Sequence, residues 1–260
     1  MAKLPKENQF LDLSDYGRPV ARVIARFFKP TFVTPIHVTI LFIISGLLAI
    51  ACIFSNQYLL AAFFLILKSI LDAADGELAR IKNTPSYTGR YFDSVADIIL
   101  NFLFLFSICL VTEGFIFYMI LAFLGIQLQG TLYNYYYVIL RNKFDGDTTS
   151  RVFETQVPKA MKGEKQSHVN VLFGMYNFLY KIFDETIYQL DKKAINGSYF
   201  PKWFMTLVST FGLGFQLLIM AIFLIFNIDY LIIPFFIGYT FLIPVYIFLR
   251  QYLEKNNKII

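Results

Sequence analysis

Four aspartates, Asp72, Asp75, Asp93 and Asp97, fall in one 26-residue stretch with Gly76, Ala79, Arg80 and Gly89. Asp72 and Asp75 are three residues apart and Asp93 and Asp97 four apart, so on helices each pair shares a face. A turn over 83–86 folds the two helices back on each other and brings those faces together. Four carboxylates then form a hard, oxygen-rich, anionic site, which suits Mg²⁺ or Mn²⁺ far better than Zn²⁺. Gly76, Ala79 and Gly89 leave a groove for a flat base or a diphosphate, and Arg80 at its lip offers a bidentate phosphate contact. The chemistry proposed by these residue types is metal-assisted phosphoryl transfer, with two cations on a diphosphate and a spare carboxylate to take a proton from an attacking hydroxyl.

The elements that must position these groups are membrane helices. Of 260 residues 57% are apolar and only 16% charged, with a mean hydropathy of +0.57, which excludes a soluble domain and a disordered chain. A span needs about 20 apolar residues, and six stretches qualify: 34–54, 58–80, 89–112, 115–140, 203–228 and 230–249. An Asp at mid-span costs about 2.5–3.5 kcal/mol on insertion scales, so any account of the acids must say what neutralises them. Structural ion pairs are the plain alternative, Asp72 and Asp75 with Lys68 and Arg80, and Asp93 and Asp97 with Arg90. An ion-conducting pathway is a further alternative, but the acids gather at one turn and the outer halves of the spans carry no charge.

Lys and Arg lie before the first stretch, between the second and third, between the fourth and fifth, and after the last. The other three connections have none, which predicts cytoplasmic termini and an active site facing the cytoplasm. The net charge of +5 follows from this asymmetry and calls for no nucleic-acid partner. The expected architecture is thus an all-α bundle of six transmembrane helices. Its parts are a cytoplasmic N-terminus with an interfacial amphipathic helix (1–33), spans one to four with the acidic motif (34–141), a cytoplasmic insert (142–199), and spans five and six with a tail (200–260). In the first part Val20, Val23, Ile24, Phe27 and Phe28 share a helical face opposite Arg22 and Arg26, as in a helix lying on a membrane surface. In the insert, Val169, Leu172, Phe173, Tyr176, Leu179, Tyr180, Phe183 and Ile187 recur at helical spacing. That stripe must bury against the bilayer, the bundle or a second subunit. Lys159, Lys162 and Lys165 read as lipid-headgroup contacts. Arg141, Lys143 and Arg151 follow the fourth span, where an anionic acceptor such as a polyol phosphate needs positive charge. Asp145 to Asp147 lack the ligand pattern of a calcium loop and read as a turn. His37, His168, Cys52 and Cys109 read as structural.

The run Asp72-x-x-Asp75-Gly76-x-x-Ala79-Arg80, eight residues, then Gly89-x-x-x-Asp93-x-x-x-Asp97 resembles the signature of the CDP-alcohol phosphotransferases at every fixed position. The resemblance implies a transferase that moves a substituted phosphoryl group from a CDP-linked donor to an alcohol and releases CMP. It implies two divalent cations, Mg²⁺ or Mn²⁺, on Asp72, Asp75 and Asp93, and Asp97 as general base with a possible metal contact. Asp72, Gly76, Ala79, Arg80 and Gly89 then line the CDP-donor site, and a homodimer is implied. Many members read Thr-Pro-Asn-x-x-Thr at the first span. This chain has Ile36 in place of that Asn, which leaves Thr39 to reach a phosphate. The donor expected is CDP-diacylglycerol or a similar lipid, with a small polar alcohol acceptor and a role in phospholipid biosynthesis. The reverse assignment, a soluble CDP-alcohol with a lipid alcohol, uses the same motif. A non-catalytic membrane scaffold is the alternative of another class.

Overall fold

Helix ends in this chain are written into short polar signals. Thr34 caps the helix that follows it, with Pro35 in the first turn and reciprocal bonds between Thr34 and His37 that close a capping box. Four connections turn at a residue with positive φ, Asn56, Asn83, Glu113 and Asn227, a conformation that Asn tolerates better than most residues. At each, the next amide donates back five residues, as from Gln57 to the Cys52 carbonyl (2.8 Å) and from Thr84 to that of Ala79 (3.0 Å), so the orphan carbonyls are satisfied and the chain reverses at once.

The computed structural model describes residues 4–144, 154, 156–197 and 199–257, and among these it forms helices and no strand. The α-helices are α1 (Arg18–Phe28), α2 (Pro35–Phe54), α3 (Tyr58–Lys82), α4 (Tyr87–Val111), α5 (Ile116–Lys143), α6 (Gln166–Leu190), α7 (Lys202–Val208), α8 (Leu213–Ile225), α9 (Ile232–Thr240) and α10 (Leu242–Asn257). By length and composition α2, α4, α5 and the stretch Asp229–Asn256 can each cross a membrane. The segments Lys202–Phe211 and Leu213–Ile225 make a fifth candidate span if counted together, bent by 55°. Helix α3 is long enough at 25 residues, but Lys68, Asp72 and Asp75 interrupt its apolar stretch. The residues that weaken its membrane character are two acids of the motif and Lys68, one turn before the first of them.

Helix α3 packs against α1, α2 and α8, and α4 against α2, α5 and α6. The main core includes Phe42, Leu65, Phe104, Leu217 and Phe236, and a second, around Tyr136, Phe204 and Phe211, lies between α5 and the last helices. The stripe on α6 resolves to the bundle: Val169, Phe173, Phe183 and Ile187 are buried, and α6 lies on α4 and α5. Helix α1 turns Ala21 and Ala25 to α3 and leaves Val20, Val23 and Phe27 exposed.

Two anchors have no counterpart in the sequence pattern. The N-terminal segment crosses the α7–α8 break, where Leu13 N–H donates to Ser209 Oγ (2.9 Å) and Tyr133 donates to Asp12 (2.5 Å). A Cβ at Gly214 would stand 1.9 Å from the Ser14 carbonyl oxygen, so only glycine admits that approach. The end of α6 is tied to α10 by Arg250, which donates to both oxygens of Asp191 in a buried pair that Tyr136 also joins (2.7 Å).

Candidate active site

The last turns of α3 carry Asp72 and Asp75, and the first turns of α4 carry Asp93 and Asp97. Ser86 caps α4 by accepting from Gly89 N–H (2.8 Å), so the turn that joins the helices also fixes the start of the second. One carboxylate oxygen from each of Asp72, Asp75 and Asp93 lies within 4.8 Å of the others. Thr39, one helix away, donates to Asp75 Oδ2 at 2.6 Å. Asp93 Oδ1 is buried without a hydrogen-bond partner. An orphaned carboxylate oxygen facing two further carboxylates fits a hard divalent cation.

Asp97 stands beside this group but is held differently, because Lys68 donates to its Oδ1 and to Asp72 Oδ2, the latter at 3.0 Å. Lys68 is fully buried. The expected pairing of Lys68 with Asp72 is therefore present, with Asp97 as a partner that helical spacing alone did not reveal. Arg90 does not serve Asp93 and Asp97 as an ion-pair partner in the way that alternative required. It pairs with Glu154 of the insert and lies 4.6 Å from the centre of the Tyr91 ring.

Around the acids, Gly76 and Ala79 share the α3 face with Asp72. A Cβ on Gly76 would touch the Arg80 guanidinium at 3.5 Å. Arg80 pairs with Glu77 (3.0 Å), within reach of the groove but resting on its own helix. Gly89 faces Ile36, whose Cγ1 would stand 3.9 Å from a Cβ there, so the first turn of α2 borders the groove with an apolar side chain. His37 is engaged in the Thr34 cap, and His168 is exposed.

The acceptor-side cations do not share one setting. Arg141 is buried and lies 5.0 Å from the Tyr137 ring centre, while Lys143 lies 5.1 Å from that of Phe144. Arg151 and the turn at Asp145 to Asp147 lie outside the described residues. Lys159, Lys162 and Lys165 are exposed, but Glu164 among them turns inward. It accepts from Ser86 Oγ and Thr88 N–H, both at 2.7 Å, and from Met161 N–H at 2.9 Å. Burial pushes the Glu164 carboxyl up, but these bonds outweigh it and hold the group below the usual carboxylate range. With Glu154 on Arg90 and Tyr91, two insert carboxylates clasp the first turns of α4. Neither stands out in the sequence, where Glu154 lies in the polar first part of the insert and Glu164 among the lysines that read as lipid-headgroup contacts.

A model of the CDP-alcohol phosphatidyltransferase family matches residues 32–179. The chain belongs to this family. The matched region runs from just before α2 into α6, so it takes in the acidic site and much of the clasping insert. Two CDP-diacylglycerol–serine O-phosphatidyltransferases from strains of Helicobacter pylori are 37% and 36% identical to the chain over 71 residues, 27% of this chain. The match spans 30% of the length of each of these curated relatives.

Proposed function

We propose that this member of the CDP-alcohol phosphatidyltransferase family transfers a phosphatidyl group from CDP-diacylglycerol, or a close lipid analogue, to a small polar alcohol and releases CMP, in phospholipid biosynthesis. The observation that carries the reading is the convergence of Asp72, Asp75 and Asp93, with Asp97 alongside, on the α3–α4 turn. Asp72, Asp75 and Asp93 would hold divalent cations, two of Mg²⁺ or Mn²⁺ by the family pattern. Such cations neutralise diphosphate charge and polarise phosphoryl oxygens.

Asp97 is the general base. It takes the proton of the acceptor hydroxyl as that oxygen bonds to the phosphatidyl phosphorus, and the bond from phosphorus to the CMP oxygen breaks, with the electron pair leaving on CMP. Gly76, Ala79 and Gly89 keep the floor open to the donor, and Arg80 supplies a phosphate contact. Thr39 serves the site through Asp75, whose carboxylate it orients. The names of the relatives support serine, or an alcohol like it, as acceptor. Arg141, Lys143 and Arg151 are the cations available to an anionic acceptor. The Lys and Arg distribution supports six spans, α3 among them, with the termini and the site on the cytoplasmic side. The exposed apolar faces of α2 and α5 leave room for lipid and for a second copy of the chain in a homodimer.

The test is to incubate purified protein with Mg²⁺ or Mn²⁺, CDP-diacylglycerol and a panel of alcohols that includes serine. Soluble CDP-alcohols with diacylglycerol run alongside, and CMP and lipids are followed by mass spectrometry. CMP and one phospholipid from the lipid donor are expected. CMP only from a soluble CDP-alcohol would reverse donor and acceptor, and CMP from neither would overturn the catalytic reading.

A further inference from the structure

Lysine is costly to bury inside a membrane bundle, and one held there between carboxylates is a candidate for function. Lys68 has no exposed surface. It sits one turn before Asp72 on α3 and reaches across to Asp97 on α4, so a single ammonium joins both helices of the acidic site. Its third side is closed by the Phe42 ring, whose centre lies 4.6 Å from Nζ. The three carboxylates whose oxygens gather within 4.8 Å exclude Asp97, and Asp97 is the one whose Oδ1 the ammonium occupies.

We infer that Lys68 is a positioning residue, which pins Asp97 outside the three-carboxylate cluster and so reserves it for the acceptor hydroxyl instead of a metal. The inference rests on the metal-assisted transferase reading and deepens it. An ammonium is a compact charge with three donors on a flexible stem. Two donors suffice for Asp72 and Asp97, and the bridge fixes where the fourth carboxylate points. Without it, four carboxylates face one another and a cation draws Asp97 in as a further ligand.

The test measures Mn²⁺ binding to the purified full chain without substrates, by electron paramagnetic resonance, together with steady-state kinetics. Lys68→Met is expected to bind Mn²⁺ at least tenfold more tightly than the wild type. Its kcat is expected to fall at least tenfold, with KM for the CDP donor within threefold. In Lys68→Met/Asp97→Asn the gain in Mn²⁺ affinity is expected to vanish, because the freed Asp97 is its source. Lys68→Arg, which keeps the charge, is expected to hold wild-type Mn²⁺ affinity within threefold and to recover part of kcat. It also serves as the deciding variant if Lys68→Met does not fold, and a tenfold gain in affinity in Lys68→Arg then overturns the inference. Unchanged Mn²⁺ affinity in a folded Lys68→Met overturns it too, and leaves Lys68 a structural counter-ion. A gain that persists in the double variant overturns the role given to Asp97. Wild-type protein that binds no Mn²⁺ overturns the metal reading itself, a failure distinct from the others.

Discussion

Asp75, within the three-carboxylate cluster, and Asp97, beside it, are held by different partners, Thr39 and Lys68, and they should fail in different ways when changed. Asp97→Asn keeps the shape and removes the proposed base. It is expected to lower turnover by about 10²–10⁴-fold with donor binding within a few-fold of wild type, checked by CMP release beside direct donor binding. Loss of donor binding as well would move Asp97 into the metal shell. Asp75→Asn is expected to weaken divalent-cation-dependent donor binding, and unchanged metal dependence would contradict the cluster's proposed role. At this scale the spacing of the acids was legible, because residues three or four apart on a helix are neighbours. The second partner of Lys68 was not, since Asp97 is 29 residues away on another helix. Glu154 and Glu164 escaped for the same reason, each meeting α4 across more than 60 residues.

Elements here are fixed as much by what crosses them as by their own sequence. The N-terminal segment depends on a missing side chain at Gly214, so Gly214→Ala must move the Ser14 backbone. A stability loss of about 1–3 kcal/mol is expected, measured by thermal unfolding in detergent, and an unchanged midpoint would mean that the segment does not dock at the α7–α8 break. In α6, burial pushes the Asp184 carboxyl up to about 7, with the charges of Glu154 and Glu185 adding to the shift. Its folded form therefore favours the protonated state. The cost of ionising it grows from the ordinary carboxylate range upward and is complete above about pH 7. Asp184→Asn is expected to raise thermal stability at about pH 8 and to leave it unchanged near pH 4, and an equal effect at both would contradict the buried setting. The apolar periodicity of α6 was readable in advance, and its partner was not. A stripe states that a face is buried but not against which surface, and here the surface is α4 and α5. The break at Gly212 went unseen because the run around it carries no charge, and hydropathy does not register a bend.

Across the molecule, the apolar runs located α2, α3, α4 and α5 to within a few residues, because membrane thickness sets their length, while the last two runs each cover a pair of helices. The weak point was α3, where the site itself interrupts the apolar run. The proposed orientation rests on the placement of Lys and Arg and is open to a direct check. In a background lacking Cys52 and Cys109, a cysteine replacing Ser55 is expected to react with an impermeant thiol reagent in intact cells. One replacing Lys162 is expected to react only after permeabilisation, and the opposite pattern would invert the topology.

By the proposed function, the acids of α3 and α4 join a phosphatidyl group to an alcohol oxygen with CMP as leaving group. The most direct measurement is the ratio of CMP to new phospholipid formed by one purified preparation, with and without divalent cation and acceptor, beside Asp97→Asn. Equal amounts of the two products are expected, formed only when cation, donor and acceptor are all present and nearly abolished in the variant. CMP released without phospholipid, or turnover indifferent to the cation and to Asp97, would contradict the proposed function.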